Sequence, residues 1–209
     1  MRYSREESEF DRAFAFLDAT FALALTLLVT TLDVNGSGSV WKSLGSLEDE
    51  IGSQFIAFAI AFAVIANYWL LHHRMVSSFA EIDQPMIVAN LWLIAAIVLL
   101  PFSTEAVGDP AINDLALPTA LFAVNVAAAS ILSTGIYWLA WKRNLFRSRP
   151  SPAELRQYLI AGLVPAVVFL GSIPIAYLAS PLAAKLFWLS LLVLKPLTGR
   201  RRAPEAEAG

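Results

Sequence analysis

Six apolar stretches, roughly 13–32, 53–73, 86–103, 116–141, 156–178 and 181–197, take up most of this 209-residue chain. A helix needs about 20 mostly apolar residues to cross a bilayer, and these runs are of that order. What lies between them is too short for a soluble domain of roughly 50 residues or more. The expected fold class is therefore an all-α polytopic membrane protein with six transmembrane helices per subunit. Residues 1–209 form a single transmembrane domain, with a polar tail at 198–209.

Composition narrows the function classes. The chain is 57% hydrophobic and 15% charged, against about 45–50% and about 25% in soluble domains. A net charge of −2 argues against a nucleic-acid partner, which requires clustered Lys and Arg. The chain has no cysteine, so disulfide scaffolds, zinc–cysteine sites, iron–sulfur clusters and thiol catalysis are excluded. Its two histidines do not make a His-rich metal site alone. No HExxH, no Ser–Lys pair within a span and no paired aspartates occur, so an intramembrane enzyme has little support. No cofactor is expected, and the bilayer itself is the first partner.

Positive charge sets the orientation. Arg2, Arg5 and Arg12 precede the first span, and Arg74 follows the second. Lys142, Arg143, Arg147, Arg149 and Arg156 lie between the fourth and fifth, with Lys195, Arg200, Arg201 and Arg202 in the tail. The alternate loops are acidic or neutral: 33–52 has only Lys42 against Asp33, Glu48, Asp49 and Glu50, and 104–115 has Glu105, Asp109 and Asp114 alone. Six spans with both termini in the cytoplasm fit this distribution. The opening MRYSREESEFDR carries acids among its arginines and no small-residue cleavage site follows, so the first apolar run is read as a working helix rather than a secretory signal.

Local punctuation marks the ends. Asn35–Ser39 is a turn cluster, Pro101 in LLPFSTE is a place for the third span to stop, and the tail APEAEAG reads as disordered. Ser151 or Pro152 opens the fifth span with Glu154 in its first turn. Pro165 and Pro174 lie inside that span and predict kinks.

The first span is the unusual one. Segment 12–33 holds Asp18, Thr20, Thr26, Thr30 and Thr31 within or beside its apolar core. At about 100° per residue, Leu23, Leu27 and Thr30 share a face flanked by Thr26, while Asp18 points about 140° from Leu23. One plain alternative is that the leucines face lipid or a neighbouring helix; another is that the threonines bond carbonyls one turn back. The second span ends NYWLLHHRM, with Trp69, His72 and His73, and the third carries Asn90 after Asp83 and Gln84. Arg12, Asp18, a histidine and Asn90 fall at one depth. Buried polar groups need partners, so a network joining the first three spans is expected, either as structural glue or as a proton path.

Together these residues resemble the transmembrane protein 175 family of potassium channels in its prokaryotic branch. Arg12, Phe16 and Asp18 match that family's Arg-xxx-Phe-Ser-Asp signature, with Leu17 in place of the serine. FALALTLLV, YWLLHHRM, Asn90-Leu91 and LLPF follow in the family's order and spacing. The resemblance covers residues 12–110, and the last three spans are placed by topology. It implies six helices per subunit, a homotetramer with the first helix lining a central pore, and a constriction of apolar side chains. No TVGYG filter occurs in this chain. Counting from Asp18 puts the narrowest ring at Leu23, with Thr26 above it and Leu27 and Thr30 continuing the face. Arg12, Phe16, Asp18, Trp69, His72, His73 and Asn90 become the support that holds the first helix. Since leucine offers no hydroxyl, Asp18 leans on Arg12 or a histidine, or the gate is set differently.

The expected function is thus a potassium-permeable channel of a prokaryotic inner membrane, with no metal beyond transient potassium. A proton leak or proton-coupled transporter using Asp18 and His72 or His73 is the alternative, and a structural membrane protein without flux is a third. The two halves show no repeat of the kind common in transporters.

Overall fold

The apolar runs become helices in the computed structural model, which describes residues 2–32 and 40–194. Helix α1 spans Ser8–Leu27 and ends in a 3₁₀ turn at Leu28–Thr31; α2 spans Leu44–Ser77, α3 Gln84–Val98 and α4 Leu100–Gly108. Helix α5 spans Ala116–Arg143, α6 Pro152–Leu178 and α7 Pro181–Phe187, followed by a 3₁₀ turn at Trp188–Ser190. Five helical segments are long and apolar enough to cross a membrane: Ser8–Thr31, Ile51–Ser77, Gln84–Gly108, Ala116–Arg143 and Pro152–Leu178. The sixth apolar helix is described over Pro181–Leu194, about 21 Å at 1.5 Å per residue. The end of the expected sixth span, the tail with Lys195 and Arg200–Arg202, and the Asn35–Ser39 turn lie outside the described residues.

Side-chain caps decide where several of these helices start. Ser43 Oγ accepts from the Ser46 N–H at 3.1 Å and Ser180 Oγ from the Ala183 N–H at 3.1 Å. Ser151 and Glu154 form a reciprocal capping box ahead of α6, with Pro152 where its missing N–H costs nothing. Asn144 closes α5 in the left-handed region at φ 57°.

One reading of the prolines needs correction. Pro101 does not end the third span. The chain steps at Leu99, whose N–H bonds back to Ala95 O and Ile97 O, and α4 restarts with Pro101 in its first turn. A proline there leaves no orphan N–H, so the helix resumes and the span reaches Gly108. Pro165 and Pro174 lie inside α6, which runs from Pro152 to Leu178.

Helix α5 is the hub: 61% of its apolar stretch is buried, against 28% for each of α1, α2 and α6. Against α6 it stacks Tyr137 on Tyr158, ring centroids 3.6 Å apart, and Ser130 Oγ donates to Gly162 O at 2.7 Å. A Cβ at Gly162 would meet Thr134 Oγ1 at 2.5 Å, so only glycine allows this approach. Tyr68 Oη donates to Val126 O at 2.9 Å, tying α2 to α5.

The basic end is more ordered than its sequence suggests. Strand β1 (Arg2–Ser4) pairs antiparallel with β2 (Glu81–Asp83), Tyr3 facing Ile82. Asp83 is buried, caps α3 by accepting from the Met86 N–H at 3.1 Å, and forms a salt bridge with Arg143. The Arg5 guanidinium donates to Val76 O, Ser77 O and Phe79 O at the end of α2. The segment ahead of α1 is thereby fastened to the loops that follow α2 and α5.

Candidate pore face of the first helix

Helix α1 has one side inside the subunit and one side outside. Phe10, Phe14, Leu17, Phe21, Ala24 and Leu28 are buried, stepping three or four residues at a time, which is one helical face. About 150° round the helix at 100° per residue, Leu23 is 56% exposed, Leu27 is 38% exposed, and Thr26 and Thr30 are exposed with them. Nothing in the same subunit covers this stripe.

The threonines on it are arranged uniformly. Thr26 Oγ1 donates to Leu23 O at 2.8 Å and Thr30 Oγ1 to Leu27 O at 2.7 Å. Each hydroxyl has spent its single proton on its own helix, so its oxygen retains acceptor capacity only.

The supporting residues form two pairs rather than one network. Trp69 Nε1 donates to Asp18 Oδ1 at 3.0 Å, and the His73 ring lies beside the indole with centroids 5.5 Å apart. Separately, His72 Nε2 lies 2.8 Å from Asn90 Oδ1. Asn90 Nδ2 donates to Met86 O at 2.8 Å, which turns Oδ1 toward the histidine and makes Nε2–H the donor. His72 is buried, with the Phe21 and Phe14 rings at 5.7 and 6.3 Å. These pairs join α2 to α1 and α2 to α3.

Arg12 and Phe16 stand apart from both. Arg12 is exposed and forms no ion pair among the described residues, and Phe16 is 57% exposed on the same side as Leu23. Asp18 takes its hydrogen bond from Trp69, not from Arg12 or a histidine. Leu17 is 3% exposed and packs in the core. The residue that replaces the family serine is thus a packing residue here, a role legible in its spacing from Phe14 and Phe21.

A family model described as the endosomal/lysosomal potassium channel TMEM175 matches residues 12–101. A potassium channel of Streptomyces collinus is 25% identical over 181 residues, 84% of this chain and 86% of its own length. One from Chamaesiphon minutus is 31% identical over 140 residues, 66% of each chain. The crystal structure of a lysosomal potassium-selective channel TMEM175 homologue from Chamaesiphon minutus superposes with a TM-score of 0.73 at 22% identity, covering 93% of this chain and 100% of that one. A variant of the potassium channel MtTMEM175 superposes with a TM-score of 0.64 at 20% identity, over 90% and 91% of the two chains. The family model, the potassium-channel relatives and the superposed TMEM175 homologue agree, and on them together this chain belongs to the TMEM175 potassium-channel family.

Proposed function

We propose that this chain is a potassium-permeable cation channel of a prokaryotic inner membrane. Four copies assemble with α1 of each lining a central pore, and Leu23 and Leu27 form an apolar constriction. The observation that carries this reading is the uncovered α1 stripe of Leu23, Thr26, Leu27 and Thr30, on a helix whose other side is the subunit core.

The mechanism follows from the chemistry of that stripe. Leucine side chains meeting on an axis make a narrow apolar passage that sheds water and closes to ions. Conduction then requires the α1 helices to rotate or spread. Hydroxyl oxygens at Thr26 and Thr30, their protons held by Leu23 O and Leu27 O, present acceptors to a partly dehydrated cation. Potassium gives up water more readily than sodium and is favoured there. Acidic groups at the far end, Glu105, Asp109 and Asp114 among them, raise the local cation concentration. The Trp69–Asp18 and His72–Asn90 pairs set the position of α1 against α2 and of α2 against α3.

Purified protein in liposomes, assayed for potassium against sodium flux, tests this reading. Selective, passive potassium flux is expected, and an assembled tetramer without any flux would defeat it. The proton-coupled alternative finds no direct hydrogen bond from Asp18 to His72 or His73 among the described residues: Asp18 bonds to Trp69, His72 to Asn90, and the His73 ring lies beside the Trp69 indole. If Asp18→Asn abolished proton-driven uptake while assembly survived, the channel reading would give way to it.

A further inference from the structure

At the basic end of the molecule lies a cavity of about 350 Å³ lined by Arg2, Trp138, Leu139, Lys142, Arg143 and Asn144. We propose that it binds the phosphate of an anionic phospholipid headgroup. This inference does not rest on the channel reading.

The charges in the cavity come from two distant parts of the chain. Arg2 belongs to β1, while Lys142 and Arg143 end α5. Arg2 pairs with Glu81 at 3.2 Å and Arg143 meets Asp83 through Nε. Lys142 pairs with no carboxylate among the described residues. Its ammonium instead lies 5.1 Å from the centroid of the Trp138 ring one turn earlier. Three cations thus face two carboxylates, and the surplus positive charge is on the exposed Lys142.

Position distinguishes a lipid phosphate from a dissolved one. The apolar span of α5 ends at Arg143, so the cavity sits where hydrocarbon gives way to headgroups. Trp138, 44% exposed, and Leu139 form an apolar wall below the cationic rim, and tryptophan favours this depth. An occupant with acyl chains covers the wall and places its phosphodiester against Lys142, Arg143 and Arg2. A free phosphate ion engages the rim alone. Basic pockets between helices at this face are suited to anionic headgroups. The consequence is mechanical: because Arg2 lies just ahead of α1, the bound headgroup fastens β1 to α5 and steadies the segment that enters α1.

The test uses full-length protein extracted from vesicles of equal phosphatidylglycerol and phosphatidylcholine, with retained lipid read by native mass spectrometry. Wild type is expected to retain phosphatidylglycerol preferentially. Lys142→Gln should reduce that preference about fivefold, the contribution of one surface cation, and Lys142→Arg should restore it. Lys142 is exposed and pairs with no acid among the described residues, so the variant is expected to fold. Equal preference in wild type and Lys142→Gln overturns the proposal. A second arm adds inorganic phosphate alone: if it displaces the retained phosphatidylglycerol with the same dependence on Lys142, the site takes free phosphate and the lipid assignment fails.

Discussion

The indole of Trp69 donates to Asp18 Oδ1 at 3.0 Å, and this bond links α2 to the helix whose opposite side carries Leu23 and Leu27. It is the direct polar tie between the signature aspartate and the rest of the subunit. A hydrogen bond to a charged acceptor contributes about 1.5–3 kcal/mol. Trp69→Phe keeps much of the ring packing and deletes the donor, so it should lower the stability of the detergent-solubilised protein by an amount in that range. A double-mutant cycle with Asp18→Ala, which removes the acceptor, checks the assignment: additive effects would show that the two side chains are not coupled.

Shortening Leu23 acts on the proposed constriction and leaves the core alone. The side chain is exposed within the subunit, so Leu23→Ala should change subunit stability by no more than about 0.5 kcal/mol. Leak in liposomes should rise, or selectivity should change, because a wider and less apolar ring wets more easily. Unchanged flux from an assembled tetramer would count decisively against Leu23 as the gate.

Thr26→Val tests the hydroxyl separately from the shape. Valine nearly matches threonine in volume but offers no acceptor. The exposed position makes a folding defect unexpected. The potassium-to-sodium flux ratio should fall while the total flux persists. A ratio equal to that of wild type would remove Thr26 from the selectivity mechanism.

The His72–Asn90 pair should behave as structural support. Asn90→Ala leaves the buried His72 N–H without its acceptor, at a cost of about 1–3 kcal/mol. Thermal unfolding in detergent measures this directly. Arg12→Gln is the contrasting variant, since an exposed arginine with no ion pair among the described residues predicts a change within about 0.5 kcal/mol. Comparable losses for both variants would place Arg12 back among the supports.

Close helix packing gives a further check on the hub. Gly162→Ala brings a Cβ to 2.5 Å from Thr134 Oγ1, and overpacking of this kind costs about 1–3 kcal/mol. Pairing it with Thr134→Ala, which removes Oγ1, tests the cause: if that contact is responsible, the double variant should recover part of the melting temperature lost by Gly162→Ala.

Much of this molecule was legible because hydropathy and helical period act locally. The first five spans follow from length and apolarity alone, and the uncovered stripe on α1 follows from the 100° step between Leu23, Thr26, Leu27 and Thr30. Pro101 misled because a proline can close one helix or open the next, and only the step at Leu99 shows which. The strands Arg2–Ser4 and Glu81–Asp83 are three residues each, too short to leave an alternation in the sequence.

The sequence by itself determined that the chain is a bundle of membrane helices, which end is basic, and which face of α1 carries threonine among leucines. These are properties of consecutive residues. Only the tertiary structure decided that Asp18 takes Trp69 rather than Arg12, and that His72 takes Asn90. Those outcomes depend on how α1, α2 and α3 are rotated against one another, and that rotation is set by packing among side chains far apart in the chain. A polar residue in an apolar helix announces that it needs a partner; which partner it finds depends on what the packed helices bring within 3 Å of it.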